Sequence, residues 1–335
     1  MTDGSPGPSP AAPTPATVPG PALRWVLGAR PRTLPAAVVP VVVGTTLAYW
    51  MRQGPTGAVA YAPLGNRHPA LVAMRPISLG NGLLALVVAL ALQVGTNYAN
   101  DHADGVRGTD DARVGPVRLV GSGLASPGAV KLAAVGAFAV AAVAGLGLAW
   151  ATTWWLLPIG VAAVASGWLY TGGPRPYGYL GLGEVFVFVF FGLVATVGTV
   201  YVESRTVPGA AAVAGATVGL LATALLEANN LRDIAGDEAA GKRTLAVRMG
   251  RRLAGWLYAG SLAGAVAGIV ALAVMATPWV LLGLAAVPFA VGALRLALGP
   301  AQGRQLLPVL GASGRMQLLV GALVSGGLLI ADVLR

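Results

Sequence analysis

Residues 129–151 read AVKLAAVGAFAVAAVAGLGLAWA, an apolar run of 23 residues in which Lys131 is the one charged side chain. About 20 apolar residues span the ~30 Å hydrocarbon core of a bilayer as a helix. Similar runs recur along the 335-residue chain, which is 56% hydrophobic and 10% charged. Soluble domains carry roughly 25% charged residues. The sequence therefore predicts an all-α polytopic membrane protein.

Nine membrane spans are predicted from these runs, forming one domain over residues 23–335 around a central cavity. Residues 1–22 are rich in Pro and Ala and contain no Lys or Arg, a composition typical of a disordered tail. The connection 54–76 is predicted to be a surface loop without chemistry. The approximate bounds of the spans are 33–51, 78–98, 129–151, 154–171, 183–202, 209–229, 255–276, 278–298 and 315–334.

Basic residues divide unevenly between the two predicted faces. One face carries 17 of the 22 Lys and Arg residues, in the N-terminal segment and the loops that follow even-numbered spans. Because basic residues mark cytoplasmic loops, we expect the N-terminus and this face of the cavity to be cytoplasmic, in the cell membrane. The net charge of +10 then reflects topology and does not indicate a nucleic-acid partner. The absence of cysteine excludes disulfides and cysteine-ligated metals.

Acidic residues are rare and concentrated. Of 12 Asp and Glu residues, four lie in Asp101–Asp111 and three in Asp233–Glu238, each group directly after an apolar run. If spans 2 and 6 continue as helices through these stretches, each helix carries three polar residues on a single face. The first set is Asn97, Asp101 and Asp104, and the second is Asn230, Asp233 and Asp237. Single charges of this kind are usually solvated loop residues, but two matched sets on one face of so acid-poor a chain favour a shared site.

Oxygen-rich sites of this kind suit Mg²⁺. This ion takes one or two carboxylates and completes its shell with water and substrate phosphates. Two carboxylate pairs on facing helices predict two Mg²⁺ ions against one diphosphate, whose charge they would neutralise. Nearby polar and basic side chains on the same face are candidate substrate contacts: Asn100, Arg107, Arg113, Arg118, Tyr170, Arg175, Arg232 and Lys242. The alternative for Tyr170 and Arg175, in a Gly- and Pro-rich stretch, is a plain tight turn.

The sequence resembles the UbiA superfamily of membrane prenyltransferases, and within it the branch that uses 1,4-dihydroxy-2-naphthoate. Four stretches carry the likeness: Ala29–Pro35, Asn97–Arg118, Tyr170–Glu184 and Asn229–Leu245, the last containing Asn-Asn-Leu-Arg-Asp. The wider superfamily often places the second acid of its first motif four residues after the first. Here Gly105 occupies that position, and Asp104 supplies the carboxylate.

The resemblance implies a prenyl transfer. A polyprenyl diphosphate would lose diphosphate, and the naphthoate ring would attack the allylic cation with loss of CO₂, giving demethylmenaquinone. Asp101 and Asp104 would hold one Mg²⁺, and Asp233 and Asp237 the other. Lys242 would contact the diphosphate, while Arg32 and Arg175 are candidates for the acceptor carboxylate. The expected partners are these two substrates and the lipid bilayer, while the chain length of the isoprenoid and the oligomeric state stay open.

Three alternatives stay open at this point. A related prenyltransferase could use 4-hydroxybenzoate, homogentisate, haem or phosphoribosyl diphosphate. A membrane phosphatidyltransferase would carry a different acidic motif. An acid-lined cation transporter would place its site near the bilayer midplane, whereas these acids lie at helix ends among basic loops.

Overall fold

The computed structural model describes residues 19–52, 58–61, 70–73, 78–108 and 118–334. Residues 1–18 of the predicted tail lie outside the described residues, as do Asp110, Asp111 and Arg113. The regular secondary structure of the described residues is helical apart from one short hairpin. Its α-helices are α1 (Pro21–Gly28), α2 (Pro35–Arg52), α3 (Leu79–Val106), α4 (Pro127–Ala151), α5 (Leu156–Leu169), α6 (Gly183–Val187), α7 (Ala195–Ser204), α8 (Gly209–Ala239), α9 (Leu245–Met275), α10 (Pro288–Leu298) and α11 (Leu307–Val333).

Shorter helical segments join several of these elements. A π-helix, Phe188–Val194, makes α6 and α7 one continuous helical rod. The remaining segments are 3₁₀-helices at Pro31–Thr33, Tyr177–Leu180, Pro278–Ala286 and Gly303–Leu306.

The prediction of an all-α membrane protein is confirmed. Within the described residues, six helices are long and apolar enough to cross a bilayer: α3, α4, the rod Gly183–Ser204, α8, α9 and Gly303–Val333. Two further candidates are helix pairs bent by 55° and 48°, namely Pro21–Thr33 with α2 and Pro278–Ala286 with α10. The remaining predicted span corresponds to α5, which has only 14 residues. The count of nine full spans is therefore not confirmed.

The predicted loop 54–76 contains a hairpin. Strand β1 (Ala58–Tyr61) pairs antiparallel with β2 (Ala70–Ala73), Ala58 opposite Ala73. The interpretation as a plain surface loop was incomplete, because Val and Tyr favour extended, paired backbone over irregular loop.

Local signals set several helix boundaries. The hydroxyls of Ser78, Ser126 and Thr244 accept backbone N–H groups at the starts of α3, α4 and α9. Such caps satisfy N–H groups that the first helical turn leaves without partners. Within α9, Gly250 has φ 76°, a conformation that favours glycine, and it kinks the helix near its start.

The core divides the bundle unequally. A large apolar cluster joins α2, α8, α9, α10 and α11, whereas α3 and α4 contribute to two small clusters. Small residues allow close helix contact: a Cβ on Gly192 would lie 2.4 Å from Cα of Gly219 on α8. The space that the packed side does not fill is a cavity bordered by α3, α4 and α5.

Candidate active site

One cavity of about 2160 Å³ runs through the bundle. Ligand pockets for drug-sized molecules measure roughly 300–1,000 Å³, so this space admits a much longer molecule. Charged and amide side chains gather on its wall where α3 and α8 end, and apolar side chains of α3, α4, α5 and the Gly183–Ser204 rod line the rest. The cavity therefore suits a ligand with a polar head and an apolar tail.

The first acidic stretch points only partly into this cavity. Asn97, Asn100 and Asp104 line the wall, so the lining face of α3 has spacings of three and four residues. The carboxylate of Asp101, which is 0% exposed, accepts the backbone N–H groups of Leu119 (2.7 Å) and Val120 (3.1 Å). The expected single face of Asn97, Asp101 and Asp104 is thus split, because Asp101 turns toward the returning chain and holds residues 118–120 against α3.

The amides of α3 hold two other segments at the site. Asn97 donates through Nδ2 to the carbonyl of Ala29 (2.8 Å) and to the hydroxyl of Thr33 (2.9 Å). Asn100 accepts a hydrogen bond from the hydroxyl of Thr171 at 2.8 Å. Both side chains therefore fix the segments before α2 and after α5, in addition to facing the cavity.

The second acidic stretch combines a contact between adjacent residues with one to another helix. Asp233 accepts two hydrogen bonds of 2.6 Å from Nε and Nη2 of its neighbour Arg232. Arg232 lines the cavity, and its Nη1 is buried without a hydrogen-bond partner. Asn230 and Asp237 also line the wall, and Asn230 donates through Nδ2 to Glu184 at 2.9 Å.

Lys242 brings the two stretches together. Its Nζ lies 3.0 Å from Oδ1 of Asp104, and its backbone N–H donates to the carbonyl of Asp237 at 2.8 Å. Both partners of the ion pair are almost fully buried, Asp104 at 1% and Lys242 at 5% exposure. Arg118 adds a longer ion pair of 3.7 Å to Oδ2 of Asp104. The ends of α3 and α8 thus converge on one charged cluster.

Tyr179 is a site residue that the sequence analysis missed. Its hydroxyl donates to Oδ1 of Asp104 at 2.8 Å, and its ring faces Lys242 Nζ at 4.9 Å. Arg107 faces the same ring at 5.5 Å while it donates to the carbonyls of Thr171 and Gly173. Cations prefer the faces of aromatic rings. Tyr179 therefore positions Asp104 through its hydroxyl, and Lys242 and Arg107 through its ring. The available signal was its place in the Gly- and Pro-rich turn, near Tyr170 and Tyr177.

The other predicted contacts are placed unevenly. Tyr170 and the exposed Arg32 line the cavity, whereas Arg175 is exposed and is not among the lining residues. Tyr177 stacks on Phe186 with ring centroids 4.0 Å apart and donates to the carbonyl of Ser166. Burial raises the pKa of Tyr177, which keeps its phenol protonated as a donor.

The donor set suits Mg²⁺ bound together with a phosphate ligand. Within the part of the chain that the structure describes, no three acidic or histidine side chains form a protein-only metal cage. The cavity wall instead offers the carboxylates of Asp104 and Asp237 with the amide oxygens of Asn100 and Asn230. Mg²⁺ usually takes one or two carboxylates and completes its shell with water and phosphate oxygens, so these residues fit it.

A bundle of apolar helices around a cavity that is charged at one end and apolar beyond defines a membrane protein acting on an amphiphilic anion. The model of the UbiA prenyltransferase family matches residues 37–305, and the chain belongs to this family. It is a multi-pass membrane protein.

Sequence relatives and solved structures agree with this membership. The 1,4-dihydroxy-2-naphthoate octaprenyltransferase of Mycobacterium tuberculosis is 47% identical over 306 residues, covering 91% of this chain and 96% of the relative. The enzyme of the same name from Escherichia coli is 37% identical, covering 71% and 73%. A UbiA homolog from Aeropyrum pernix has a TM-score of 0.62 at 16% identity, covering 88% and 97%. A homolog from Archaeoglobus fulgidus, bound to GPP and Mg²⁺, has a TM-score of 0.57 at 14% identity, covering 90% and 99%.

Proposed function

We propose that this protein transfers a polyprenyl group from polyprenyl diphosphate to 1,4-dihydroxy-2-naphthoate, with release of diphosphate and CO₂. The direct product is the hydroquinone, demethylmenaquinol, because the ring keeps both hydroxyl groups and no oxidant takes part; oxidation in air gives demethylmenaquinone. The observation that supports the proposal most directly is the continuity of one cavity, which joins the charged cluster around Lys242 to a long apolar space. The relatives of 47% and 37% identity, whose names state the naphthoate acceptor, support the choice of acceptor.

The reaction breaks one carbon–oxygen bond and one carbon–carbon bond, and it forms one new carbon–carbon bond. The bond between the allylic carbon and diphosphate breaks, and diphosphate leaves with the electron pair. The ring carbon that bears the carboxylate then forms the new bond. Loss of that carboxylate as CO₂ returns its electron pair to the ring, so this route needs no base to remove a ring proton.

The charged cluster is suited to the leaving diphosphate. Lys242, Arg118 and Arg232 lie where the cavity becomes polar, and preorganised cations stabilise charge as it develops on a leaving group. Asn100, Tyr170 and Arg107 border or brace the same region. The apolar wall excludes water from the allylic cation. Arg32, on the cavity wall, is the better placed of the two candidates for the acceptor carboxylate.

The proposed metal ligands are the carboxylates of Asp101, Asp104, Asp233 and Asp237, with Asn97 and Asn230 completing the shells. Asp104 and Asp237 line the cavity, whereas Asp101 and Asp233 would have to turn toward it. Two Mg²⁺ ions are proposed, one for each acidic stretch. When bound, Mg²⁺ neutralises the diphosphate and makes it a better leaving group. Asp101 already accepts two backbone N–H groups, but an ionised carboxylate has about four lone-pair sites, so it can accept further contacts.

The test is a product assay with purified protein in lipid. Labelled polyprenyl diphosphate, Mg²⁺ and a panel of aromatic acceptors are supplied, and products are separated by chromatography. We expect demethylmenaquinol, recovered as demethylmenaquinone after oxidation in air, and CO₂ with the naphthoate, and no product after chelation of Mg²⁺. Transfer to 4-hydroxybenzoate or homogentisate in preference to the naphthoate would overturn the assignment of the acceptor.

We also propose that the charged end of the cavity faces the cytoplasm, in the cell membrane. The supporting observation is that 17 of the 22 basic residues lie on the predicted inner face. The chain has no cysteine, so single cysteines report orientation cleanly. Ser122→Cys and Arg52→Cys, both at exposed positions, are labelled in spheroplasts with a membrane-impermeant maleimide. Labelling of Ser122→Cys and protection of Arg52→Cys would reverse the proposed orientation.

A further inference from the structure

The acids proposed to bind metal are already paired with bases of the same site. Asp104 pairs with Lys242 at 3.0 Å and with Arg118 at 3.7 Å. Asp233 pairs with Arg232 at 2.6 Å. These pairs are buried, since Lys242 and Arg232 are each 5% exposed. Each acidic stretch thus has a resident cation that also belongs to the proposed diphosphate site.

Burial makes these pairs hard to open one partner at a time. Removal of one partner from a buried ion pair leaves an uncompensated charge in a medium of low dielectric, which is strongly unfavourable. A divalent cation that arrived alone at Asp104 would confront the ammonium of Lys242. A diphosphate that arrived alone at Lys242 would confront the carboxylate of Asp104.

Joint arrival of metal and diphosphate removes both penalties. The carboxylates would then turn to the metal and the released cations to the diphosphate, so every buried charge would keep an opposite partner. Arg232 is prepared for this exchange, because its Nη1 is buried without a hydrogen-bond partner on the cavity wall while Nε and Nη2 hold Asp233.

We propose that Lys242 and Arg232 are resident counter-ions of the two acidic stretches and transfer from carboxylate to diphosphate when metal and diphosphate bind together. The ligand recognised is a divalent cation with an organic diphosphate, and either part alone binds poorly. This inference rests on the proposed function, because it assumes that the diphosphate head lies at the charged end of the cavity.

The test compares two adjacent bases. Lys242 is buried and paired with Asp104, whereas Arg243 is exposed. Lys242→Gln and Arg243→Gln therefore remove the same charge one residue apart. Binding of Mn²⁺ alone is measured by electron paramagnetic resonance on protein in nanodiscs, without substrate or turnover. Lys242→Gln is expected to raise Mn²⁺ affinity by about tenfold or more, because it removes the ammonium that competes with the ion for Asp104.

The controls separate pairing from general charge. Arg243→Gln should change Mn²⁺ affinity by about twofold or less, because an exposed charge is screened. Lys242→Arg should restore weak binding. In the reverse experiment, the Asp104→Asn variant should bind inorganic diphosphate without metal more tightly than the unmodified protein does. The control is Glu238→Gln, which removes an exposed acid and should leave diphosphate affinity unchanged.

Several outcomes would overturn the exchange. One is Mn²⁺ affinity in Lys242→Gln that is unchanged, lower, or raised only as much as in Arg243→Gln. Should Lys242→Gln fail to fold by circular dichroism, Arg232→Gln gives the same reading at Asp233. If the Mn²⁺ shifts are absent but the protein still forms the prenylated naphthoate product, only the counter-ion exchange is refuted. Absence of that product with the expected Mn²⁺ shifts removes the proposed acceptor and leaves the exchange standing.

Discussion

The two acidic stretches look alike in sequence but are held differently. The stretch at the end of α3 depends on distant parts of the chain, since Asp101 binds the amides of Leu119 and Val120 and Asp104 binds Lys242. At the end of α8, Asp233 binds its sequence neighbour Arg232, and Asn230 reaches Glu184 on the Gly183–Ser204 rod. The helices differ in the same sense, because 67% of the apolar window of α8 is buried against 22% of that of α3. Both carboxylates of the α3 stretch thus depend on residues far along the chain, whereas the carboxylate of Asp233 is bound by an adjacent base.

Asp104→Asn should give the largest loss of prenyl transfer. The change removes the acid shared by Tyr179, Lys242 and Arg118. Loss of one preorganised group at a charged transition state typically costs about 10²–10³-fold in rate. The rate constant for transfer is measured at saturating Mg²⁺, with circular dichroism to verify folding. A rate near that of the unmodified protein would remove Asp104 from the proposed machinery.

Asp101→Asn should slow transfer by at least about 10–100-fold, because it removes a proposed Mg²⁺ ligand and weakens the hold on Leu119 and Val120. Loss of a group that only supports a metal site already costs that much. The distinguishing sign of this variant is local: hydrogen exchange at the amides of Leu119 and Val120 should rise. Asp233→Asn should leave exchange at those amides unchanged, because Asp233 is held by Arg232. Equal exchange in both variants would contradict the difference between the two stretches.

Tyr179→Phe should have a moderate effect. The ring facing Lys242 and Arg107 is kept, while the hydroxyl on Asp104 is lost. One hydrogen bond is worth about 1 kcal/mol, or about three- to tenfold in rate, and the Mg²⁺ concentration for half-maximal rate should rise. Tyr177→Phe is the control in the same turn, since its hydroxyl meets Ser166. An equal shift of the Mg²⁺ dependence in both variants would remove the positioning role of Tyr179.

Arg251→Lys should have the smallest effect on transfer and a clear effect on stability. The Arg251 guanidinium makes five hydrogen bonds, to the carbonyls of Leu296, Ala297, Gly299 and Ala301 at the end of α10. Lysine has no planar fork, so we expect a loss of about 1–3 kcal/mol in the free energy of unfolding and a rate within about twofold of the original. Arg252→Lys, at the exposed neighbouring position, should change neither quantity. Unaltered thermal unfolding in Arg251→Lys would contradict this role.

Much of the site followed from spacing along helices. Asn97, Asp104, Asn230 and Asp237 line the cavity because α3 and α8 continue as regular helices past their apolar runs. The helical period could not predict the direction of Asp101, which is set by Leu119 and Val120 on a returning segment. Nor could it predict that Tyr179 crosses from another loop to reach Asp104.

The helix count shows the same limit. Apolar runs indicate where chain enters the bilayer, but they do not show whether a run forms one straight helix. Pro288 begins a new helix after a 3₁₀ segment, and the bend there is 48°. Hydropathy is the same on both sides of such a break, so hydropathy alone could not predict the bends or the shortness of α5.

The shortness of α5 has a consequence for the surrounding lipid. Fourteen helical residues extend about 21 Å at 1.5 Å per residue, against ~30 Å of hydrocarbon. The exposed indoles of Trp154 and Trp155 lie just before the helix begins, and that of Trp150 lies at the end of α4. Exposed indoles favour the headgroup level of a bilayer. A helix of this length spans the hydrocarbon only where the bilayer is thinner, at a cost of fractions of a kcal/mol per Å of mismatch. The length of the acyl chains in the host membrane therefore sets the free-energy cost of hydrophobic mismatch at α5.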